Sequence, residues 1–192
     1  MSNKKGWIEV VCGPMFAGKS EELIRRAKRL GFAKKNYLVF KPSIDDRYSQ
    51  NEVVSHDKRS LKSISCSTTS QIREYLNNYK ENNIDAIIFD EVQFFDEDII
   101  NLCEELANSG IRVIVGGLDM DFKGEPFKIM ANLLARAEKI DKLTAICVKC
   151  GEPATRSQRL VNGEPARADD EIVLVGGNES YEPRCRSCHK VK

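Results

Sequence analysis

The sequence has 192 residues, which is one domain of ordinary size with about 50 residues to spare. Apolar residues make up 41% and charged residues 31%, a balance that excludes collagen-like, low-complexity and wholly disordered chains. Thirty Lys and Arg against 29 Asp and Glu leave a net charge of +1, so the electrostatic basis for binding a polyanion or an anionic membrane is missing.

Splitting the charge does not reveal a hidden basic module. Residues 141–192 hold nine basic and eight acidic side chains, and the rest of the chain holds 21 of each. The opening Met1–Gly6 leads straight into Trp7–Cys12, too short and too charged for a signal peptide. No apolar run reaches the roughly 18 residues of a membrane span. The expectation is a cytoplasmic protein whose seven cysteines are thiols or metal ligands rather than disulfides.

In chain order, short apolar runs alternate with helix-like stretches. The runs are Trp7–Cys12, Tyr37–Phe40, Ile84–Phe89, Ile111–Val115 and Leu143–Ile146. The helix-like segments are Ser20–Leu30, Ser70–Lys80, Glu97–Asn108 and Asn132–Ile140. This alternation predicts an α/β fold with a mostly parallel sheet. Residues 41–69 are polar and weakly periodic and read as a long loop. After Cys150 the pattern changes to polar strands, with Ser157–Val161 and Glu171–Val175 around an Asn162-Gly163 turn. Both turn residues tolerate positive φ, so the expectation is a hairpin.

Gly13-Pro14-Met15-Phe16-Ala17-Gly18-Lys19-Ser20 fits Gly-x-x-x-x-Gly-Lys-Ser/Thr between a strand and a helix. Glycines let the backbone wrap phosphate oxygens, and the helix start presents free N–H groups. Lys19 is expected to bridge the β- and γ-phosphates, and the Ser20 hydroxyl to ligate Mg²⁺. Such a site also needs an acid at the end of another buried strand, and Asp90, closing Ile84–Phe89, is the candidate for the metal side. Adjacent side chains in an extended segment point to opposite sides, which leaves Glu91 for the acceptor as general base. The plainer alternative is an acidic strand end with a capping role. A small kinase, an ATPase switch and a helicase-type motor all fit these features.

Cys147-x-x-Cys150 and Cys185-x-x-Cys188 can close a tetrahedral structural Zn²⁺ site, each pair spanning one edge. The 34 residues between the pairs exceed the common interval of about 15–20, and the expected hairpin accommodates them. Cys185-Arg186-Ser187-Cys188-His189 also matches the c-type haem pattern, but haem attachment requires export. Neither pair opens a helix after a strand as a thioredoxin-like redox motif does. His189 could compete with Cys188 as a ligand, and His56 is assigned no role.

Taken together, Gly13–Ser20, Asp45-Asp46-Arg47-Tyr48, Phe89–Phe95, Gly117-Leu118-Asp119-Met120-Asp121-Phe122, Cys147–Cys150 and Val175–Gly177 through Tyr181 to Cys185–Cys188 resemble the type II thymidine kinase family. The resemblance runs in order from about residue 7 to residue 189. Ala17 departs from the serine usual in that loop, at little cost where backbone N–H groups make the phosphate contacts.

The resemblance implies a RecA-like P-loop core over residues 1–143 and a small zinc-binding, ribbon-like domain with the nucleoside loop over residues 144–192. It implies transfer of the γ-phosphoryl group of ATP to the 5′-hydroxyl of thymidine, with Glu91 as catalytic base, in a homotetramer. On the ATP side it places Gly13–Ser20, Asp45, Asp46, Arg47, Asp90, Val92 and Gln93, although loop charge is the default reading of Asp45–Arg47. On the nucleoside side it places the aromatics Phe122 and Tyr181, the backbone of Ile172, Val173, Leu174, Val175 and Gly176, and a 5-methyl pocket of Met15, Leu118 and Thr155. Without it, Met15 and Leu118 read as core. The rival from another class is a P-loop ATPase whose zinc ribbon binds nucleic acid; the near-neutral tail counts against it.

Overall fold

The computed structural model describes residues 6–43, 52–54, 60–80, 83–172 and 179–192. Its centre is a six-stranded parallel sheet in the order β5-β2-β6-β7-β1-β8. The strands are β1 (Trp7–Cys12), β2 (Tyr37–Pro42), β5 (Ile64–Cys66), β6 (Ala86–Phe89), β7 (Arg112–Gly117) and β8 (Lys139–Lys142). Two short strands, β3 (Glu52–Val54) and β4 (Ser60–Lys62), pair antiparallel beside it.

Alternation along the strands sorts side chains into two layers. Ile8, Val10 and Cys12 of β1 join Leu38, Phe40, Ile87, Phe89, Val113 and Val115 on one face. That face is covered by α2 (Thr69–Asn78), α3 (Ile99–Asn108) and α4 (Lys128–Arg136) through Ile72, Ile99, Leu102, Leu106, Met130 and Leu133. Val11, Val39, Ile88 and Ile114 face the other way, against Leu23, Ala27 and Leu30 of α1 (Lys19–Phe32). The fold is therefore an α/β sandwich of three layers.

Glu9 lies on the α1 face and is buried there with Arg26. Arg26 donates to Glu9 Oε2 at 2.5 Å and Glu22 Oε1 at 2.9 Å, and pairs with Asp141. Arg112 reaches Glu9 Oε1 at 2.8 Å from the neighbouring strand. A charge pair this deep is tolerable only because nearly every oxygen has a donor. Burial by itself would raise the Glu9 carboxyl, but Arg112, Trp7 and Arg26 hold it below the usual carboxylate range.

Beyond β8, residues build small antiparallel sheets: β9 (Ala145–Ile146) pairs β10 (Pro153–Ala154), and β11 (Arg156–Val161) lies between β12 (Glu164–Pro165) and β13 (Glu179–Arg184). The Asn162-Gly163 turn forms with both residues at positive φ, but its return strand is Glu164–Pro165. Glu171 and Ile172 belong to no strand, and Val173–Val175 lie outside the described residues. The other side of β11 is taken by β13, which the sequence reading did not foresee.

Two further expectations are corrected. The last helix covers Lys128–Arg136 rather than 132–140, and Lys139–Lys142 forms the edge strand β8. That strand is mostly solvent-exposed, so Lys139, Asp141 and Lys142 leave no apolar run to mark it. The segment 41–69 is not one loop either, because β5 within it extends the sheet, pairing Ile64–Cys66 with Phe40–Pro42. Among the described residues no helix is long and apolar enough to cross a membrane.

Candidate functional site

The loops after β1, β7 and β6 meet at the carboxyl end of the sheet, the usual place for a ligand in an open parallel sheet. After β1, Gly18 adopts a left-handed conformation (φ 82°) as the cap of α1, and its carbonyl accepts from Glu22 N at 3.0 Å. The Lys19 side chain is buried and curls back over the loop, its Nζ donating to the Pro14 carbonyl at 2.8 Å. Gly13 and Pro14 are buried, Met15, Ala17, Gly18 and Ser20 half-buried, and Phe16 exposed.

The strand between the other two, β7, ends on Gly116-Gly117, opposite Val11 and Cys12. Past it, buried Asp119 pairs with Lys142 Nζ at 2.7 Å. Burial and the nearby Asp119 carboxylate push the Cys12 thiol up to about 11. Cys12 is therefore a core thiol, not a nucleophile.

After β6, Asp90 is buried and its Oδ1 accepts from Glu91 N at 3.0 Å. Glu91 does not continue the strand. It takes a left-handed conformation (φ 49°, ψ 42°) and opens a single 3₁₀ turn, Val92–Phe94. Strand alternation therefore does not apply to this pair, because the backbone kinks at Glu91. A left-handed glutamate is uncommon and costs energy that the surroundings must offset. Here Gln93 Nε2 donates to Glu91 Oε2 at 2.5 Å, while Gln93 Oε1 accepts from Leu118 N at 3.1 Å. Val92 is fully buried among core residues.

The nucleoside-side residues of the sequence reading are brought together only in part. Phe122 is buried, with the Arg159 guanidinium 5.1 Å and Lys123 Nζ 5.5 Å from its ring centroid. Its carbonyl is 2.8 Å from His189 Nε2. Tyr181 on β13 lies opposite Arg159 in register. Thr155 N donates to the Arg184 carbonyl at 3.2 Å, and Ile172 is exposed. Val173, Leu174, Val175 and Gly176, like Asp45, Asp46 and Arg47, lie outside the described residues.

Two residues that the sequence reading passed over sit at the centre of this arrangement. Buried Ser157 accepts from Met15 N through its Oγ at 3.0 Å, tying β11 to the phosphate loop. Arg159 is fully buried, against Phe122 and the Glu171 carbonyl. Neither carries a sequence signal beyond its place in a polar strand.

The sulfur atoms of Cys147, Cys150, Cys185 and Cys188 all lie within 4.8 Å of one another, and Cys150 and Cys185 are 3.6 Å apart. Tetrahedral zinc with bonds of about 2.3 Å needs sulfurs a little under 4 Å apart, so four thiolates in this arrangement fit that ion. Burial pushes the Cys147 thiol up, but backbone N–H groups of Cys185, Lys149 and Cys150 outweigh it and bring it down to about 6. The Cys185 and Cys150 sulfurs push Cys188 up to about 12, the crowding that a cation relieves. His189 turns away to Phe122, which leaves Cys188 in the set. Ala17 of the phosphate loop packs against Ala145, Cys147 and Ala154. A small apolar side chain suits that contact.

The chain is similar to a solved structure described as an ATPase, at 13% identity over 80% of this chain and 74% of the other, with a TM-score of 0.47. A family model described as thymidine kinase matches residues 6–189. That span holds the phosphate loop, the Asp90-Glu91 strand end, the Gly117–Phe122 loop and all four clustered cysteines, and the chain belongs to the thymidine kinase family.

Proposed function

We propose that this protein is an ATP-dependent kinase that phosphorylates the 5′-hydroxyl of thymidine. The observation that carries this reading is the Glu91 carboxylate, turned out of its strand by a left-handed kink and held by Gln93, at the end of the sheet that also carries the Lys19 loop.

In this reading backbone N–H groups of the Gly13–Ser20 loop cradle the phosphates, apart from Pro14, which has none, and Met15, whose N–H is given to Ser157, and Lys19 neutralises charge on the β- and γ-oxygens. The Ser20 hydroxyl and the Asp90 carboxylate are hard oxygen donors of the type that would hold Mg²⁺, and the ion would offset phosphate charge. Glu91 accepts the proton of the 5′-hydroxyl as its oxygen bonds to the γ-phosphorus. The bond from that phosphorus to the bridging oxygen breaks, and ADP leaves. Met15 and Leu118 border the thymine side, with Phe122 and Tyr181 as its aromatic walls.

Cys147, Cys150, Cys185 and Cys188 would hold structural zinc, which supplies folding energy to the segment they bracket. The contacts from Ala17, Ser157 and His189 extend that support to both substrate loops. The family resemblance further implies a homotetramer, which light scattering tests.

Replacing the base tests the reading. Glu91→Gln should bind ATP as the parent does and lose turnover by about 10²–10⁴-fold, the usual worth of a general base. Thymidine turnover at the parent rate would rule Glu91 out.

A further inference from the structure

Gln93 entered as one residue of a segment expected to contact ATP, yet its side chain is spent elsewhere. It is buried, and both ends of its amide are engaged. Leu118 N–H donates to Oε1 at 3.1 Å, and Nε2 donates to Glu91 Oε2 at 2.5 Å. The first bond fixes the second. A backbone N–H can face only the carbonyl end of the amide, so the NH₂ end must face the carboxylate.

The space for this bridge comes from the glycine at the end of β7. A Cβ on Gly117 would sit 2.2 Å from Gln93 Oε1 and 3.4 Å from its Cδ, so no other residue type leaves the amide where it is. The flanking geometry needs such a clamp. Glu91 is left-handed and only half-buried, so without a partner its carboxylate would sample several rotamers.

From these contacts we propose that Gln93 is a positioning residue for Glu91: it pins the carboxylate to the Leu118 backbone, and Gly117 keeps the clearance that makes this possible. The base and the loop that borders the nucleoside are thereby held in one rigid frame. This rests on the reading of Glu91 as base. It assigns Gln93 a role through Glu91 in place of a direct contact with the nucleotide.

Gln93→Met removes both hydrogen bonds at similar volume. It should lower kcat by about 10- to 100-fold, the cost of misplacing a reacting group by about an ångström, with KM for ATP and for thymidine within about twofold of the parent. Gly117→Ala should give the same split, because its Cβ meets only the flexible end of Gln93 at short range. It thereby tests the clamp without touching Gln93, should Gln93→Met fail to fold.

The decisive measurement is the cycle with Glu91→Gln. If Gln93 acts through Glu91, adding Gln93→Met or Gly117→Ala to Glu91→Gln costs no further rate. Losses that multiply, a raised KM for ATP with unchanged kcat, or parent kcat in both single variants would overturn the proposal. If Glu91→Gln itself turns over at the parent rate, the base reading fails, and the single variants still report whether Gln93 contacts ATP.

Discussion

Ser157→Ala removes a side-chain hydrogen bond from β11 to the phosphate loop. In the parent, Ser157 Oγ accepts from Met15 N at 3.0 Å, and Ser157 is buried. Removing the hydroxyl leaves a backbone donor without that partner in a partly buried position, which costs about 1–3 kcal/mol. For a chain of this size each kcal/mol moves Tm by about 2–4 °C, so the variant should melt about 2–12 °C lower. If the bond also holds the loop in its binding shape, the same free energy appears in KM for ATP as a rise of about 5- to 150-fold, with a smaller effect on kcat. Ser157→Thr keeps the oxygen and should stay near the parent. Thermal melting with and without ATP-Mg²⁺, together with KM for ATP, reads both consequences. A Ser157→Ala protein with parent Tm and parent KM would show that the phosphate loop stands independently of β11.

Arg26→Met should lower stability by about 3–5 kcal/mol, because among the described residues buried Glu9 keeps only Arg112 as a cationic partner; denaturant midpoints measure this. The same network predicts acid sensitivity. Arg25 first, then Arg26, pull the Glu22 carboxyl down to about 2 from 4.5, and Glu9 and Asp141 are also held low. Folded values below unfolded ones mean that this stability is present above the ordinary carboxylate range and is lost as pH falls towards the folded values. Between about pH 4.5 and 2 the parent should therefore lose more stability than Arg26→Met; equal slopes would exclude the network as the cause. For the cysteine cluster, atomic emission should find about one zinc per chain. Chelation should expose residues 144–192 to protease and raise KM for ATP, given the contacts of Ala17 and Ser157. Metal-free protein with an intact, protease-resistant tail would contradict the assignment.

What the sequence revealed was set by local physics. The Gly13–Ser20 junction was legible because a glycine-rich motif between an apolar run and an amphipathic helix marks a strand-to-helix turn, and the structure has β1 and α1 on its two sides. Ile87, Ile88 and Phe89 marked a central strand because both faces of that strand are buried. The two edge strands of the sheet escaped for the opposite reason: β8 is polar and mostly exposed, and β5 has three residues inside a polar stretch. The return strand after Asn162-Gly163 was misplaced because Glu164–Pro165 has no strand signature of its own. Asp90 and Glu91 were singled out by type and place, but Glu91 was read as extended where its backbone is left-handed. The left-handed turn at Glu91 accompanies a bridge in which Gln93 bonds Glu91 on one side and the Leu118 backbone on the other, and the long-range half of that bridge has no local pattern. Ser157 and Arg159 were missed for the same reason: their roles exist only once β11 is laid against the phosphate loop and Phe122.

The central claim is that the acceptor is thymidine, and a nucleoside panel with ATP-Mg²⁺, scored for monophosphate and ADP, tests it most directly. The account predicts thymidine 5′-monophosphate formed in equal amount with ADP, and no stimulation of ADP release by DNA. ADP release that responds to DNA but not to thymidine, with no nucleoside monophosphate formed, would contradict it.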